Sequence, residues 1–514
     1  MRADLAKGSL SGVLQVVLTT ALVLVAVPLF VRILGQEAFG LFSLVALVGN
    51  VNAFANLGLN AALVRFLAEQ GKSRESDHDI VVTVLLLVGV IVPLTVAGAV
   101  FERTVMLDVL NVPPELYDDG VWLYRAMLVS NVFVLLGGTC TAVLDAQQKV
   151  HLTNLFQIVY TVVYWGLILW VILAGQPLRT IAVTTVIATV LWFAAVVAGM
   201  IATWGMPVLT GLRTDGRASM RKQLSYGVQL FSAGVIGFFY EPLTKILLAH
   251  FLGVREVGIF DIGMRARNLV SSLLLKLLYP LYPLFAKLAD HAQVRFLVHD
   301  VEQKSMLVVA PVLGIVILTV TPLVDLFFGT DVDLLAPTII WMVATYLLWG
   351  FTVTPFYTYL IAKGHAWKTV LVQILNVAAN TALFLATFAW LGYFAAIAGN
   401  VASNLCTWLF LMFLQWSMLR SLIFDSWRQM VAMVLVIGIS LGLSLAFPVA
   451  EWGFFTIVAA PVLVAGITLL LYRVFSVLTV DDVTRYLGRG TRAARTCAWL
   501  LCREPSPAAP VRGM

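Results

Sequence analysis

Fourteen apolar stretches, each long enough to cross a bilayer as a helix, follow one another along this chain of 514 residues. They lie near 10–33, 39–63, 79–101, 121–145, 152–174, 178–203, 224–250, 257–284, 305–328, 336–361, 367–391, 393–417, 427–447 and 451–475. A spanning helix needs about 20 mostly apolar residues. Lipid offers no hydrogen-bond partner to the backbone, so each stretch must satisfy its own amides, as a helix does. Charged residues make up 12% of the chain and hydrophobic ones 61%, against about 25% charged in soluble domains. That balance excludes a soluble enzyme, a disordered scaffold and a disulfide-stapled secreted domain. Cys140, Cys406, Cys497 and Cys502 have neither metal-ligand nor disulfide-framework spacing. The first apolar run is about 24 residues, longer than the roughly 7–15 of a cleavable signal, and is expected to be a retained anchor. The fold class expected is all-α, a polytopic integral membrane protein with about fourteen transmembrane helices.

Lysine and arginine set the orientation. With the N-terminus inside, 24 of the 33 fall in inside segments, and five (Arg32, Arg103, Arg125, Arg179 and Arg255) fall outside. Four more, Lys245, Arg265, Arg267 and Lys276, lie within expected helices. Both termini are therefore expected in the cytoplasm. The acid-rich segments Glu69–Asp79 and Asp108–Asp119 read as solvated loops.

The halves repeat. Leu34-Gly35-Gln36-Glu37-Ala38-Phe39-Gly40-Leu41-Phe42 lies over Leu252-Gly253-Val254-Arg255-Glu256-Val257-Gly258-Ile259-Phe260 at an offset of 218, both reading L-G-x-x-x-x-G-x-F. Ala146 and Gln157 lie over Ala362 and Gln373 at an offset of 216. Six helices per repeat is an even number, so the halves keep one orientation and are related by an axis along the membrane normal. The expected organisation is an N-lobe over 1–212, a cytoplasmic linker over 213–223, a C-lobe over 224–420, two further helices over 421–475 and a tail over 476–514.

A charge at the bilayer centre costs roughly 2.5–3.5 kcal/mol on insertion scales, so intramembrane ions must pair or face water. In helix eight, Asp261, Arg265, Asn268, Ser272 and Lys276 are spaced to share one helical face. Helix seven carries Glu241 and Lys245 four apart. Helix two has Asn52, Asn56 and Asn60 at i, i+4 spacing, and helix one has Ser11, Gln15 and Thr19. A central aqueous cleft lined by helices 1, 2, 7 and 8 is the simplest geometry. Cations there outnumber acids four to two, which favours an anion, and the arginine fork suits phosphate. The plainer reading makes Glu241–Lys245 and Asp261–Arg265 self-neutralising i, i+4 pairs and the asparagines interhelical glue. Arg32 and Arg65, candidate substrate-binding residues, sit at helix ends, where snorkelling is the plainer reading.

Gly71-Lys72-Ser73 is not a P-loop, since Phe66 stands where its first glycine belongs. The six histidines lack metal-ligand spacing, and no enzyme constellation is visible. No cofactor is expected, and transport would draw on a proton or sodium gradient, the membrane potential or substrate removal. In the tail, Arg485, Arg489, Arg492 and Arg495 form a basic amphipathic segment suited to the anionic inner leaflet.

The opening pattern is an apolar helix with Pro28, then Arg32-Ile33-Leu34-Gly35-x-Glu37-x-x-Gly40-Leu41-Phe42, then Asn56-Leu57-Gly58-Leu59 and Arg65. Further on come Ala362-Lys363-Gly364, Asn376, Asn380 and Gly392-Tyr393-Phe394-Ala395-Ala396. Together they resemble the polysaccharide flippases of the multidrug/oligosaccharidyl-lipid/polysaccharide (MOP) exporter superfamily, including those for O-antigen, over residues 8–420. The resemblance implies two six-helix lobes around a central cavity and alternating access by rocking. It implies an undecaprenyl-pyrophosphate-linked oligosaccharide as substrate, moved from the inner to the outer leaflet for O-antigen, capsule or exopolysaccharide. A polysaccharide polymerase is the implied partner. Lys245, Arg265, Arg267 and Lys276 would then hold the pyrophosphate, with Asn268 beside them. Asn52, Asn56 and Asn60 would meet sugar hydroxyls, and Glu241 or Asp261 would couple a proton. A lipid II flippase and a cation-coupled multidrug exporter of the same superfamily remain alternatives. A membrane glycosyltransferase would need a large catalytic loop, and none is present.

Overall fold

The computed structural model describes residues 2–49, 55–208, 216, 219–225, 239–278, 291–329, 331–362, 366–414, 427–446 and 453–477. Among them there is no strand. The helices, in chain order, are α1 (Arg2–Leu34), α2 (Gln36–Gly49), α3 (Leu59–Gln70), α4 (Arg74–Val100), α5 (Tyr117–Ala146), α6 (Val150–Leu173), α7 (Leu178–Trp204), α8 (Tyr240–Phe251), α9 (Val254–Leu278), α10 (His291–Phe328), α11 (Val332–Ala362), α12 (Ala366–Leu391), α13 (Phe394–Leu414), α14 (Trp427–Ala446) and α15 (Gly453–Val474). Short helical turns at Glu102–Thr104, Val105–Val109 and Pro114–Leu116 connect α4 to α5.

Among the described residues nine helices are long and apolar enough to cross a membrane, and the apolar parts Leu18–Leu34, Gln36–Gly49 and Val332–Leu347 are shorter. The protein is a multi-pass membrane protein. Most expected spans coincide with a helix to within a few residues. Of the span expected over 224–250, residues 226–238 lie outside the described residues.

One expected span is broken. The sequence predicted a single helix over 39–63. Instead the chain turns at Leu57 and Gly58, at φ 47° and 71°, before α3 begins at Leu59, and residues 50–54 lie outside the described residues. Gly58 has no Cβ to oppose the left-handed turn. The Asn56 side chain accepts from the Asn60 backbone N–H at 3.1 Å, satisfying a donor left free at the start of α3. Asn56 and Asn60 are therefore not successive turns of one helical face, and Asn52 lies outside the described residues.

The repeat is legible in the helix ends. α2 starts at Gln36 and α9 at Val254, 218 apart, after Gly35 and Gly253, both with positive φ. α5 ends at Ala146 and α11 at Ala362, 216 apart.

The chain forms two compact units, Met1–Ile262 with Trp367–Gly399, and Gly263–Ala366 with Asn400–Met514. The division falls within α9. In the first unit α3, α4, α5 and α7 share a core of Leu63, Ile80, Cys140, Val143, Val196 and Met200. α1 joins α6 where Asn154 donates to Ser11 Oγ at 2.9 Å, so part of the polar face of α1 is used in packing. In the second unit α10 and α11 bury Val309, Leu313, Ile317, Val343 and Leu347, and α14 and α15 cover α10 through Ala310, Leu318, Val436 and Val464.

Candidate functional site

Within the first unit, α2 and α9 cross with their backbones almost touching. A Cβ on Gly40 would lie 1.8 Å from the Val254 carbonyl oxygen, and one on Gly258 would lie 3.0 Å from the Gln36 carbonyl oxygen. At Gly40 only glycine permits this approach. Gly40 and Gly258 are repeat equivalents, as are Gln36 and Val254, so the crossing has the near two-fold symmetry that the offset of 218 implies.

One turn further along, a buried ion cluster sits at the same crossing. Lys245 Nζ on α8 lies 2.5 Å from Asp261 Oδ1 on α9 and 2.7 Å from Glu241 Oε1. It also donates to Ser43 Oγ on α2 at 3.3 Å. The Lys245 side chain is 4% exposed and that of Asp261 5%, whereas Glu241 keeps 28%. Two carboxylates around one ammonium leave the cluster with a formal charge of −1. The Glu241–Lys245 pair expected at i, i+4 is present, and Asp261 joins it from the next helix. Lys245 is thus a neutralised cation, a different state from the cleft cation that the sequence suggested. Beside it, Asn380 of α12 donates to Thr244 Oγ1 at 2.8 Å.

Within the second unit, the continuation of α9 carries Arg265, Arg267 and Asn268. Arg265 and Arg267 are half-buried and Asn268 is exposed. The Arg267 guanidinium lies over the Tyr346 ring of α11, 5.2 Å from its centroid, and its Nη1 is 3.7 Å from Met264 Sδ. Ser271 Oγ and the Tyr346 hydroxyl are hydrogen-bonded at 2.7 Å. A cation on an aromatic face keeps its charge while losing water. Lys276 belongs to the same helix, but its side chain lies outside the described residues.

The other expected residues are dispersed. Arg32 is exposed at the end of α1. Arg65 is exposed and paired with Glu69 at 2.9 Å. Asn60 accepts from Thr139 Oγ1 of α5 at 3.3 Å, an interhelical contact. Arg485, Arg489, Arg492 and Arg495 lie outside the described residues. Among the described residues no group of three or more His, Cys, Asp or Glu could hold a metal ion.

The solvated-loop reading of Glu69–Asp79 is corrected by the structure. Ser73 caps α4 by accepting from Ser76 N–H at 3.1 Å, and this start of α4 turns Asp77 and Asp79 into the protein, where both are buried. Asp77 accepts from Trp204 Nε1 at 2.8 Å, Lys72 Nζ at 3.0 Å and the Val208 N–H at 3.2 Å. Asp79 accepts from Lys222 Nζ at 2.9 Å and from Ser219, and Gln223 donates to the Asp79 carbonyl at 2.9 Å. Segment 219–225, inside or beside the expected linker, is thereby fastened to α4. Burial works against the Lys222 charge, but its bonds to Asp79 and Glu75 outweigh that and hold its pKa above the usual lysine range. The available signal was the Ser73-x-x-Ser76 cap followed by two acids, with Lys222 as a basic partner more than a hundred residues away.

Residues 5–289 match the family described as polysaccharide biosynthesis protein. No curated protein matches in sequence. Among solved structures, the chain is similar to the lipid II flippase MurJ in an inward closed conformation, with a TM-score of 0.65 at 14% identity over 91% of this chain and 98% of that one. It is similar to a multidrug resistance MATE family transporter of the MOP superfamily in its inward-facing conformation, with a TM-score of 0.67 at 14% identity over 78% and 96%. A third likeness is to the MATE multidrug transporter DinF-BH, with a TM-score of 0.58 at 14% identity over 82% and 97%. At that identity the likenesses establish the fold alone.

Proposed function

Because the chain belongs to the polysaccharide biosynthesis protein family and has the fold of transporters of the MOP superfamily, we propose that it flips an undecaprenyl-pyrophosphate-linked oligosaccharide from the inner to the outer leaflet. The direction follows the bacterial cytoplasmic membrane with both termini inside, as the lysine and arginine distribution favours. The product would feed a surface polysaccharide such as O-antigen, capsule or exopolysaccharide, with a polymerase acting next.

The observation that carries this reading is the set of cations on α9. Arg265 and Arg267 stand two residues apart, on opposite sides of the helix, with Lys276 further along the Arg265 face. Each guanidinium fork can make paired, charge-assisted bonds to the oxygens of a phosphate. Lys245, already held by two acids, leaves the anion to α9. Arg267 on Tyr346 is pre-oriented, which lowers the entropy lost on binding.

Glu241 and Asp261 are the residues proposed to couple transport to a proton or sodium gradient. Changing them to Gln and Asn and finding the pH and sodium dependence of transport unaltered removes that role. The lipid II reading shares the same pyrophosphate chemistry, so the test must separate the two.

That test is a strain lacking the protein. Its lipids are extracted, and undecaprenyl-pyrophosphate oligosaccharides are quantified by mass against the parent. A complete repeat unit should accumulate while surface polymer is lost. Accumulation of lipid II instead assigns the protein to peptidoglycan, and no accumulation with surface polymer intact overturns the flippase reading.

A further inference from the structure

At the crossing of α2 and α9 the repeat equivalents face each other in pairs. Gly40 meets the start of α9, and Gly258 meets the start of α2. The next pair along, one turn deeper at the same offset of 218, is Ser43 and Asp261. Lys245 Nζ is bonded to both, at 3.3 Å and 2.5 Å. The positions equivalent to Lys245 and Glu241 in the first half are Val27 and Val23. A nearly symmetric backbone seam is therefore bridged by one asymmetric ion. Its carboxylate partners come from the second half, and its hydroxyl partner comes from the first. At the same end, Asn111, in the connection between α4 and α5, donates to the Ala249 carbonyl of α8 at 2.9 Å.

We propose that Lys245 is the latch of a gate at this seam, holding α2 of the first half to α8 and α9 of the second through Ser43. The proposal rests on the alternating-access reading above. Its physical basis is the distribution of charge. If the seam parts, Asp261 and Glu241 leave together with Lys245, so no buried ion is stranded. What breaks is a hydrogen bond to a neutral hydroxyl, which water entering the gap replaces at little net cost. A carboxylate at position 43 would be a third acid in a cluster already at −1, and its repulsion from Asp261 and Glu241 would push the seam open. The seam at its first turn brings the Gly40 and Gly258 backbones against the starts of α9 and α2. Under the orientation derived from the lysines and arginines, this is the outer end of the pathway.

The experiment uses the full-length protein in intact cells, with Cys140, Cys406, Cys497 and Cys502 replaced by alanine. Leu47, buried one turn beyond Ser43 on α2, becomes the reporter as Leu47→Cys. A membrane-impermeant maleimide is added from outside. Ser43→Ala should raise the labelling rate about threefold to tenfold, the equilibrium shift expected for one lost hydrogen bond. Ser43→Asp should raise it at least as much, because a third carboxylate in a cluster already at −1 is repelled by Asp261 and Glu241. A separate Phe101→Cys reporter, exposed after α4, should label at the parent rate in both variants, which checks folding and insertion. Unchanged labelling at 47 in both variants, slower labelling in either, or labelling of 47 only from the cytoplasmic side overturns the latch. The readout does not involve the substrate. A responsive reporter in a strain without lipid-linked oligosaccharide accumulation upholds the latch and removes only the substrate reading.

Discussion

Replacing Gly40 by alanine should damage this protein far more than replacing its repeat equivalent, Gly258. A methyl on Gly40 would sit 1.8 Å from the Val254 carbonyl oxygen and 2.7 Å from its carbon. Real Cβ atoms essentially never come within 3.0 Å, so α2 and α9 must retreat by about 1.2 Å at the crossing. No flexible side chain can absorb that movement, because both nearest atoms are backbone. Overpacking costs about 1–3 kcal/mol where neighbours can adjust, and Gly40→Ala belongs at or above the upper end. A methyl on Gly258 meets Gln36 Nε2 and the Gln36 carbonyl oxygen at 3.0 Å and Gly40 Cα at 3.1 Å. A shift of a few tenths of an ångström relieves it, at about 1 kcal/mol. Removing glycine from a helix interior returns about 0.5–1 kcal/mol, so Gly258→Ala comes out near neutral. Thermal unfolding of the purified protein in detergent is the assay. The expected order places Gly40→Ala well below the parent and Gly258→Ala close to it. Equal midpoints for the two variants, or a greater loss for Gly258→Ala, would refute the backbone crossing.

The polar clamp at the start of α4 makes a second case. Asp79→Ala leaves Lys222 with Glu75 alone and strips Ser219 of an acceptor; because Lys222 is 28% exposed, the loss should be about 2–3 kcal/mol, below that of a fully buried pair. Trypsin should then cut faster at Arg221 and Lys222, and an unchanged cleavage rate contradicts the clamp. The Lys222 pKa is raised in the folded protein, so its stabilisation is complete below the unfolded lysine value of about 10.4 and fades as pH rises through the higher folded value. A melting series on the alkaline side should show that loss in the parent and not in Lys222→Met. For the substrate site, Arg267→Gln should abolish complementation of surface polysaccharide at normal protein levels. Tyr346→Phe, which loses the Ser271 bond but keeps the ring beneath Arg267, should be mild, and equal loss from both would speak against anion binding by Arg267.

Much of this architecture is local in origin and legible residue by residue. Without water as a partner, apolar stretches must close their own hydrogen bonds, so the ends of α4 to α7 and α12 to α15 follow from composition and length. The 218 offset likewise anticipated that α2 and α9 begin at equivalent residues. What local periodicity does not contain is which faces meet. Asp261 is four residues from Arg265 and sixteen from Lys245, yet its 2.5 Å partner is Lys245, because the turn at Leu252-Gly253 folds α8 back beside α9. Asp77 and Asp79 look like solvent-facing acids until Trp204 and Lys222 arrive from over a hundred residues away. The asparagines near residue 56 keep helical spacing in the sequence, but a left-handed Leu57-Gly58 step separates them. Lipid as solvent and the backbone's own hydrogen bonds determined the helices. Only the tertiary structure decided which buried charges would be neutralised, because the energy of an ion depends on partners brought near it in space and not on its neighbours along the chain.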